Sequence, residues 1–392
     1  MTDTTQSRSN PAYAAALETF PKLTEAKRLE RLALPEGPVR VVIDTDAKNE
    51  IDDQPTLAWA LLSPEVIRLE GVYAAPFSFS LWLDDFRRAS EVKRSVSQPQ
   101  GADAALVSTF AGWLEKEDKE GPQALEGLFN PPSVGMERSY QEILTIFEKL
   151  NRESAGLVFR GSDRFLPSIA EPVDSPAVRH LIERALAPTD APLYVVAIGA
   201  LTNIASALLL EPRIVEKIVV VWTASYPSVS RRTTHSLNLE QDLIASQLLF
   251  DCGVPLVYLP GYQVGAQLRI SQLEMAAWVK GRGAIGDYLY WLYMNNPLHA
   301  YREPEDFFAR SWIMWDLINI AWLIDHRWVP SDLMPAPLLT DDRLYADGGS
   351  GRHAMREAYG VDRDAIFRDL LTKLERAAQQ SSGLNHRTDG SA

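Results

Sequence analysis

Four aspartates crowd the stretch VRVVIDTDAKNEIDDQ, residues 39–54: Asp44, Asp46, Asp52 and Asp53, with Glu50 among them. They follow a run of apolar and β-branched residues patterned like a buried strand. Carboxylates gathered there lose hydration and repel one another unless a cation joins them. An all-oxygen donor set suits a hard ion: Ca2+ takes about 6–8 oxygens, whereas Mg2+ usually keeps several waters. No His/Cys spacing points to zinc. Capping of the next helix by Asp52 or Asp53 explains one carboxylate, not four.

The elements around this stretch must place it. Short apolar runs at 39–44, 67–75, 156–161, 193–199, 217–224 and 255–261 alternate with helical patterns at 54–62, 136–150, 176–187, 201–210 and 239–250. Val/Ile-rich strands alternating with helices predict an α/β fold, with a mostly parallel central sheet covered on both faces. In such sheets ligands bind outside the carboxyl ends of the strands, where Asp44 and Asp46 fall. Residues 1–37 read as an N-terminal extension, with an amphipathic helix around 13–34. Residues 38–377 read as one domain, with a long insertion at about 78–134. Past residue 262 the chain turns helical and aromatic-rich, and 378–392 has the composition of a disordered tail.

Composition narrows the partners. The chain has 392 residues, a net charge of −13 and 46% hydrophobic residues. That balance argues against nucleic acid or an anionic membrane as main partner. No apolar run nears the roughly 18 residues needed to span a bilayer, and the first residues lack a signal-peptide pattern. A soluble, cytoplasmic protein is expected. Its single cysteine, Cys252, excludes an internal disulfide framework and reads as inert core.

Taken alone, strand–Asp-x-Asp also opens haloacid-dehalogenase-like phosphatases and glycosyltransferases. The first want Thr or Val where Ala47 stands, and neither uses a second Asp pair. Three further segments follow in order: AIGALTNIASALLLEP (197–212), SLNLEQDLIASQLLFDCGVPLVYLPG (236–261) and MWDLINIAWLI (314–324). With DTDAKNEIDDQPTLAWALL they resemble the inosine–uridine-preferring nucleoside hydrolases over residues 38–375. The resemblance implies Ca2+-dependent cleavage of the N-glycosidic bond of a nucleoside, by a homodimer or homotetramer. It implies Asp46, Asp53, Asp316 and the main-chain carbonyl of Thr202 as metal ligands. Asp46 would also be the base that takes a proton from the ion-held water. Asp52 and Asn238 would hold the ribose hydroxyls, and Asp44 would support the cluster.

The chain also departs from that pattern. Asp52 and Asp53 lie two residues further from Asp46 than usual, so the loop 47–51 must bulge and could bring Asn49 or Glu50 to the sugar. Trp315 stands where many members carry an acidic-proton donor, His. It either stacks on the departing base or fills the core. A leaving-group acid would then come from His235, His299 or Tyr301. Ser236 replaces the glutamate of the family's Glu-x-Asn, Ser78 replaces a sugar-binding Asn, and Ala224-Ser225 replaces a glycine pair. The aromatic stretch 278–308 reads as part core and part rim of a base pocket. Three readings stay open: a nucleoside hydrolase, a hydrolase of a modified or specialised riboside, and a non-catalytic calcium-dependent nucleoside or sugar binder.

Overall fold

The computed structural model describes residues 11–296, 310–349 and 351–388. All six apolar runs form strands: β1 (Val39–Thr45), β2 (Ile67–Ala74), β3 (Val158–Arg160), β4 (Leu193–Ile198), β5 (Ile218–Ala224) and β6 (Leu256–Pro260). The chain then adds β7 (Arg269–Ser271) and β8 (Ser311–Ile313), which pair with each other. After them come β9 (Ser331–Pro335), the pair β10 (Leu338–Leu339) and β11 (Tyr345–Ala346), and β12 (Ala354–Ala358). The central sheet has eight strands in the order β3-β2-β1-β4-β5-β6-β12-β9, and every pairing but β12–β9 is parallel. The strands β9 and β12 lie in the part of the chain that reads as helical from its aromatic content.

Helices α1 (Pro11–Leu17) and α2 (Glu25–Arg31) precede the sheet, and α3 (Asp53–Leu61) follows β1. Helices α4 (Leu83–Ser95), α5 (Gly101–Thr109) and α6 (Ala111–Glu120) fill the insertion, and α7 (Pro132–Lys149) leads to β3. Next come α8 (Pro176–Ala185), α9 (Thr202–Leu210), the single-turn α10 (Leu237–Glu240) and α11 (Leu243–Asp251). The C-terminal part carries α12 (Gln272–Trp278), α13 (Gly283–Met294), α14 (Leu317–Ile324) and α15 (Arg363–Thr388).

Strand side chains alternate between two cores. Val41, Ile43, Val219 and Val221 join α3, α7, α13, α14 and α15 on one face. Val42, Val220, Trp222 and Tyr258 join α8, α9 and α11 on the other. Each such aliphatic side chain contributes about 1.5–3 kcal/mol when fully buried, so a one-residue slip of any central strand is prohibitive. Tyr13, Phe20 and Leu32 of the N-terminal segment are buried against these cores. Cys252 is buried just past α11.

The insertion is a helical body with a core of its own, formed by Phe86, Ala89, Phe110, Leu114 and Leu125 and edged by Trp82, Trp113 and Phe129. Its charges sit outside, and Gly101 and Gly121, both at positive φ, break it into short helices. Helix α15 runs to Thr388, past residue 378 where the composition changes to that of a tail. Adding a turn to a formed helix costs far less than starting one, and 378–388 holds no proline to stop it. Residues 1–10 and 389–392 lie outside those described.

Candidate active site

The strand order reverses direction between β1 and β4, and such a switch point leaves a crevice beyond the strand ends. Thr45 and Ile198 are register partners, so β1 and β4 end level with each other. A cavity of about 180 Å³ opens there, and Asp46, Asp52, Asp53 and Asp316 all line it. Asp46 comes from the turn after β1, Asp52 and Asp53 from the start of α3, and Asp316 from the N-cap of α14. One oxygen from each of Asp52, Asp53 and Asp316 lies within 4.8 Å of the others.

Each carboxylate is held. The Thr45 hydroxyl donates to Asp53 Oδ1 at 2.5 Å, and the Asn49 amide donates to Asp46 Oδ2 at 3.0 Å. Main-chain N–H groups of Trp315 and Asp316 donate to Asp52. Beneath them, Asn203 Nδ2 donates to Asp44 Oδ1 at 2.7 Å, while its own Oδ1 accepts from the Ser162 N–H and hydroxyl. Asn319 of α14 donates to the main-chain oxygen of Val221 at 2.9 Å and accepts from the Thr223 hydroxyl. That ties the helix bearing Asp316 to the ends of the central strands. Gly199, just past β4, leaves room for Asp46: a Cβ there would lie 3.1 Å from its Cγ.

These carboxylates resist ionising together. Burial, followed by the neighbouring charges of Asp52 and Asp44, pushes Asp46 up to about 8. Burial likewise raises Asp52 to about 7 and Asp44 to about 7. Asp53 and Asp316 are pushed well upward, first by burial and then by the adjacent carboxylates. A divalent cation relieves both penalties at once, and the all-oxygen set fits a hard ion.

The longer loop after Asp46 is braced from α7. Glu142 accepts from Lys48 at 2.8 Å, from Tyr288 at 2.7 Å and from Gln54 Nε2 at 3.3 Å; Gln54 Nε2 also donates to the Ala47 carbonyl. The loop thereby turns Asn49 and the half-buried Glu50 into the cavity.

Of the residues singled out in the sequence, Asn49, His235, Asn238 and Trp315 line the cavity with the carboxylates. Asn238 donates to the Thr223 carbonyl at 3.1 Å. The Trp315 ring meets Tyr262 edge-on at 5.6 Å, and both face the cavity. Two residues are placed elsewhere. Ser78 is buried away from it, its hydroxyl donating to the Asn130 carbonyl at 2.7 Å, and so anchors the end of the insertion. Thr202 opens α9 with its hydroxyl on Asp242 at 2.7 Å and does not line the cavity; Ile198, four residues earlier, does. His299 and Tyr301 lie outside the described residues. In the aromatic stretch, Tyr293 is core, Trp278 and Trp291 are exposed, and no described member reaches the cavity. Trp82, from the insertion, does line it and carries no sequence signal beyond its residue type.

Residues 41–368 match the family model described as inosine-uridine preferring nucleoside hydrolase. Among solved structures the chain is similar to a plant nucleoside hydrolase, with TM-score 0.57 and 17% identity over 86% of this chain and 99% of that one. It is also similar to a purine-preferring ribonucleoside hydrolase from Gardnerella vaginalis, with TM-score 0.54 and 20% identity over the same shares of the two chains. An inosine-uridine preferring nucleoside hydrolase from Bacillus anthracis gives TM-score 0.53 and 17% identity, again over 86% and 99%. At these identities the structural likeness is one of fold. No curated protein matches the chain. Among the described residues, no helix is long and apolar enough to cross a membrane.

Proposed function

The chain belongs to the inosine-uridine preferring nucleoside hydrolase family and is a hydrolase of N-glycosyl bonds, and we propose that it cleaves a nucleoside or related N-riboside with one Ca2+ held at the carboxylate cluster. The observation that carries this reading is the meeting of Asp46, Asp52, Asp53 and Asp316 in one cavity at the switch point of the sheet.

Asp53 and Asp316 would hold the ion, with Asp46 and Asp52 beside them. Ile198, rather than Thr202, supplies the main-chain oxygen at this end of β4. When bound, the ion would supply positive charge that acidifies a water and grips the sugar diol. Asp46, aimed by Asn49, takes the proton from the attacking water. Asp52 and Asn238 hold the ribose hydroxyls, which fixes the anomeric carbon in line with that water and removes part of the entropic barrier. The C–N bond breaks through an oxocarbenium-like state. His235 donates a proton to the departing base, and the aromatic faces of Trp82, Tyr262 and Trp315 wall its pocket.

Ser236 also lines the cavity, where the family's sugar-gripping glutamate would stand. That favours a second reading, a riboside altered at the sugar's 5′ end. We further propose a cytoplasmic homodimer or homotetramer. The test is a panel of purine, pyrimidine and 5′-modified ribosides, followed as free reducing sugar with Ca2+ and with EDTA. Turnover abolished by EDTA and by Asp46→Asn supports the proposal. Turnover unaffected by either overturns it, and binding without turnover identifies a calcium-dependent binder.

A further inference from the structure

The insertion meets the cavity at one buried carboxylate. Glu240 ends α10, two residues past Asn238, and its side chain is 1% exposed. The Trp82 indole N–H donates to Glu240 Oε1 at 2.9 Å. Arg343, from the turn between β10 and β11, donates to Glu240 Oε2, and His235 Nδ1 lies 3.6 Å from that same oxygen. Next along the chain, Gln241 Oε1 accepts the Ser78 N–H at 2.7 Å, fixing the point where the insertion leaves β2. Trp82 packs in turn on Phe79 and Trp113, ring centroids 5.7 and 6.0 Å away, so holding its indole also holds the aromatic edge of the insertion.

We infer that Glu240 is a positioning residue: it fixes Trp82, and with it the insertion, as a wall of the active-site cavity that contacts the planar heteroaromatic base of the substrate. The insertion is therefore part of the specificity machinery rather than a surface appendage. Three cavity residues, Trp82, His235 and Asn238, are tied to one four-residue turn of helix and its flank, so base wall and sugar grip move together. The inference rests on the hydrolase reading above, because it assumes that the cavity holds a nucleoside.

The test compares Glu240→Ala, Glu240→Gln and Trp82→Phe in the full chain with Ca2+, using the best riboside of the panel. Loss of a hydrogen bond to a charged group predicts KM raised about tenfold in E240A, with kcat within about threefold. E240Q keeps an oxygen acceptor for the indole and should restore KM to within about threefold of wild type. W82F, which cannot make the bond, should raise KM like E240A, and the double variant should add nothing. The 15N–1H signal of the Trp82 indole, assigned by its loss in W82F, should move upfield in E240A and return in E240Q. An unmoved signal, or a normal KM in W82F, overturns the inference. Because the signal is read without substrate, it stands apart from failure of the hydrolase reading, which would appear as wild type inert on every riboside. Should E240A not fold, W82F and E240Q still decide.

Discussion

Gly199 faces Asp46 across the switch point of the sheet, and the gap between them is smaller than a methyl group needs. A Cβ on residue 199 would sit 3.1 Å from Asp46 Cγ and 3.2 Å from its Cβ. Gly199→Ala therefore displaces the Asp46 carboxylate by a few tenths of an ångström. With misplacements of an ångström costing up to about a hundredfold, kcat should fall about tenfold. Chemical unfolding should change by no more than about 1 kcal/mol, since no buried polar group loses its partner. A kcat within twofold of wild type would refute the contact's importance.

The carboxylate cluster trades stability for ion binding. Without Ca2+, Asp53→Asn removes a buried carboxyl whose ionisation its neighbours oppose and should raise the unfolding free energy by about 1–2 kcal/mol. With Ca2+ at a hundredfold excess over Kd, wild type gains about 2.7 kcal/mol and the variant far less, so the order reverses. Urea unfolding with EDTA and with Ca2+ checks both arms. A variant less stable than wild type in EDTA contradicts the argument.

His235 is exposed at the cavity and acts, on the reading above, by protonating the leaving base. General acids contribute about 10²–10⁴ to rate. His235→Ala should slow purine ribosides by about a hundredfold or more, yet barely affect 4-nitrophenyl riboside, whose leaving group departs as an anion. Equal losses on both substrates would assign His235 to binding instead.

Ser225 lines the cavity at φ 42°, in the left-handed region. The conformation costs a side chain about 1–2 kcal/mol, and glycine returns about 0.5–1 kcal/mol of that as extra chain entropy on unfolding. Ser225→Gly should therefore stabilise the fold by up to about 1 kcal/mol, measured as a shift of the urea midpoint at constant m-value. A destabilised variant would show that Ser225 is held by contacts worth more than its strain.

His353 precedes β12, and its Nε2 is buried without a hydrogen-bond partner among the described residues. Burial, then the nearby Arg28 and Arg352, pushes its pKa down to about 3. The unfolded imidazole titrates near about 6.5, so below that pH the unfolded chain takes up a proton the folded chain refuses. Its contribution is complete above pH 6.5 and declines on acidification by up to about 1.4 kcal/mol per unit. His353→Gln should flatten the fall in stability between pH 6.5 and 5 relative to wild type. Parallel pH profiles would show that His353 takes up its proton as readily in the folded chain as in the unfolded one.

The spacing of aspartates and the Asp-Leu-Ile-Asn segment made most of the cavity legible, because metal ligands demand fixed residue types at fixed places. Asp46, Asp52, Asp53, Asn238, Trp315 and Asp316 converge from three segments. Thr202 opens α9 and Ile198 lines the cavity instead, a shift along the strand-to-helix turn that a main-chain donor, having no side-chain signature, leaves unmarked in the sequence. Ser78 lies on the chain's route into the insertion, where its hydroxyl serves the turn. Asn203 and Asn319 were legible in principle: each is a lone amide in an apolar helix, in LTNIA and LINIA, and such a group must find a buried partner. Trp82 was not, because nothing local to residues 78–134 records which neighbour those helices lean on.

The insertion's five-residue core shares no member with the two cores flanking the sheet. Its amino acids can therefore drift, generation by generation, without disturbing the strands that aim the aspartates. A lineage can therefore retune which molecules it consumes by rewriting these helices, leaving the reaction itself untouched.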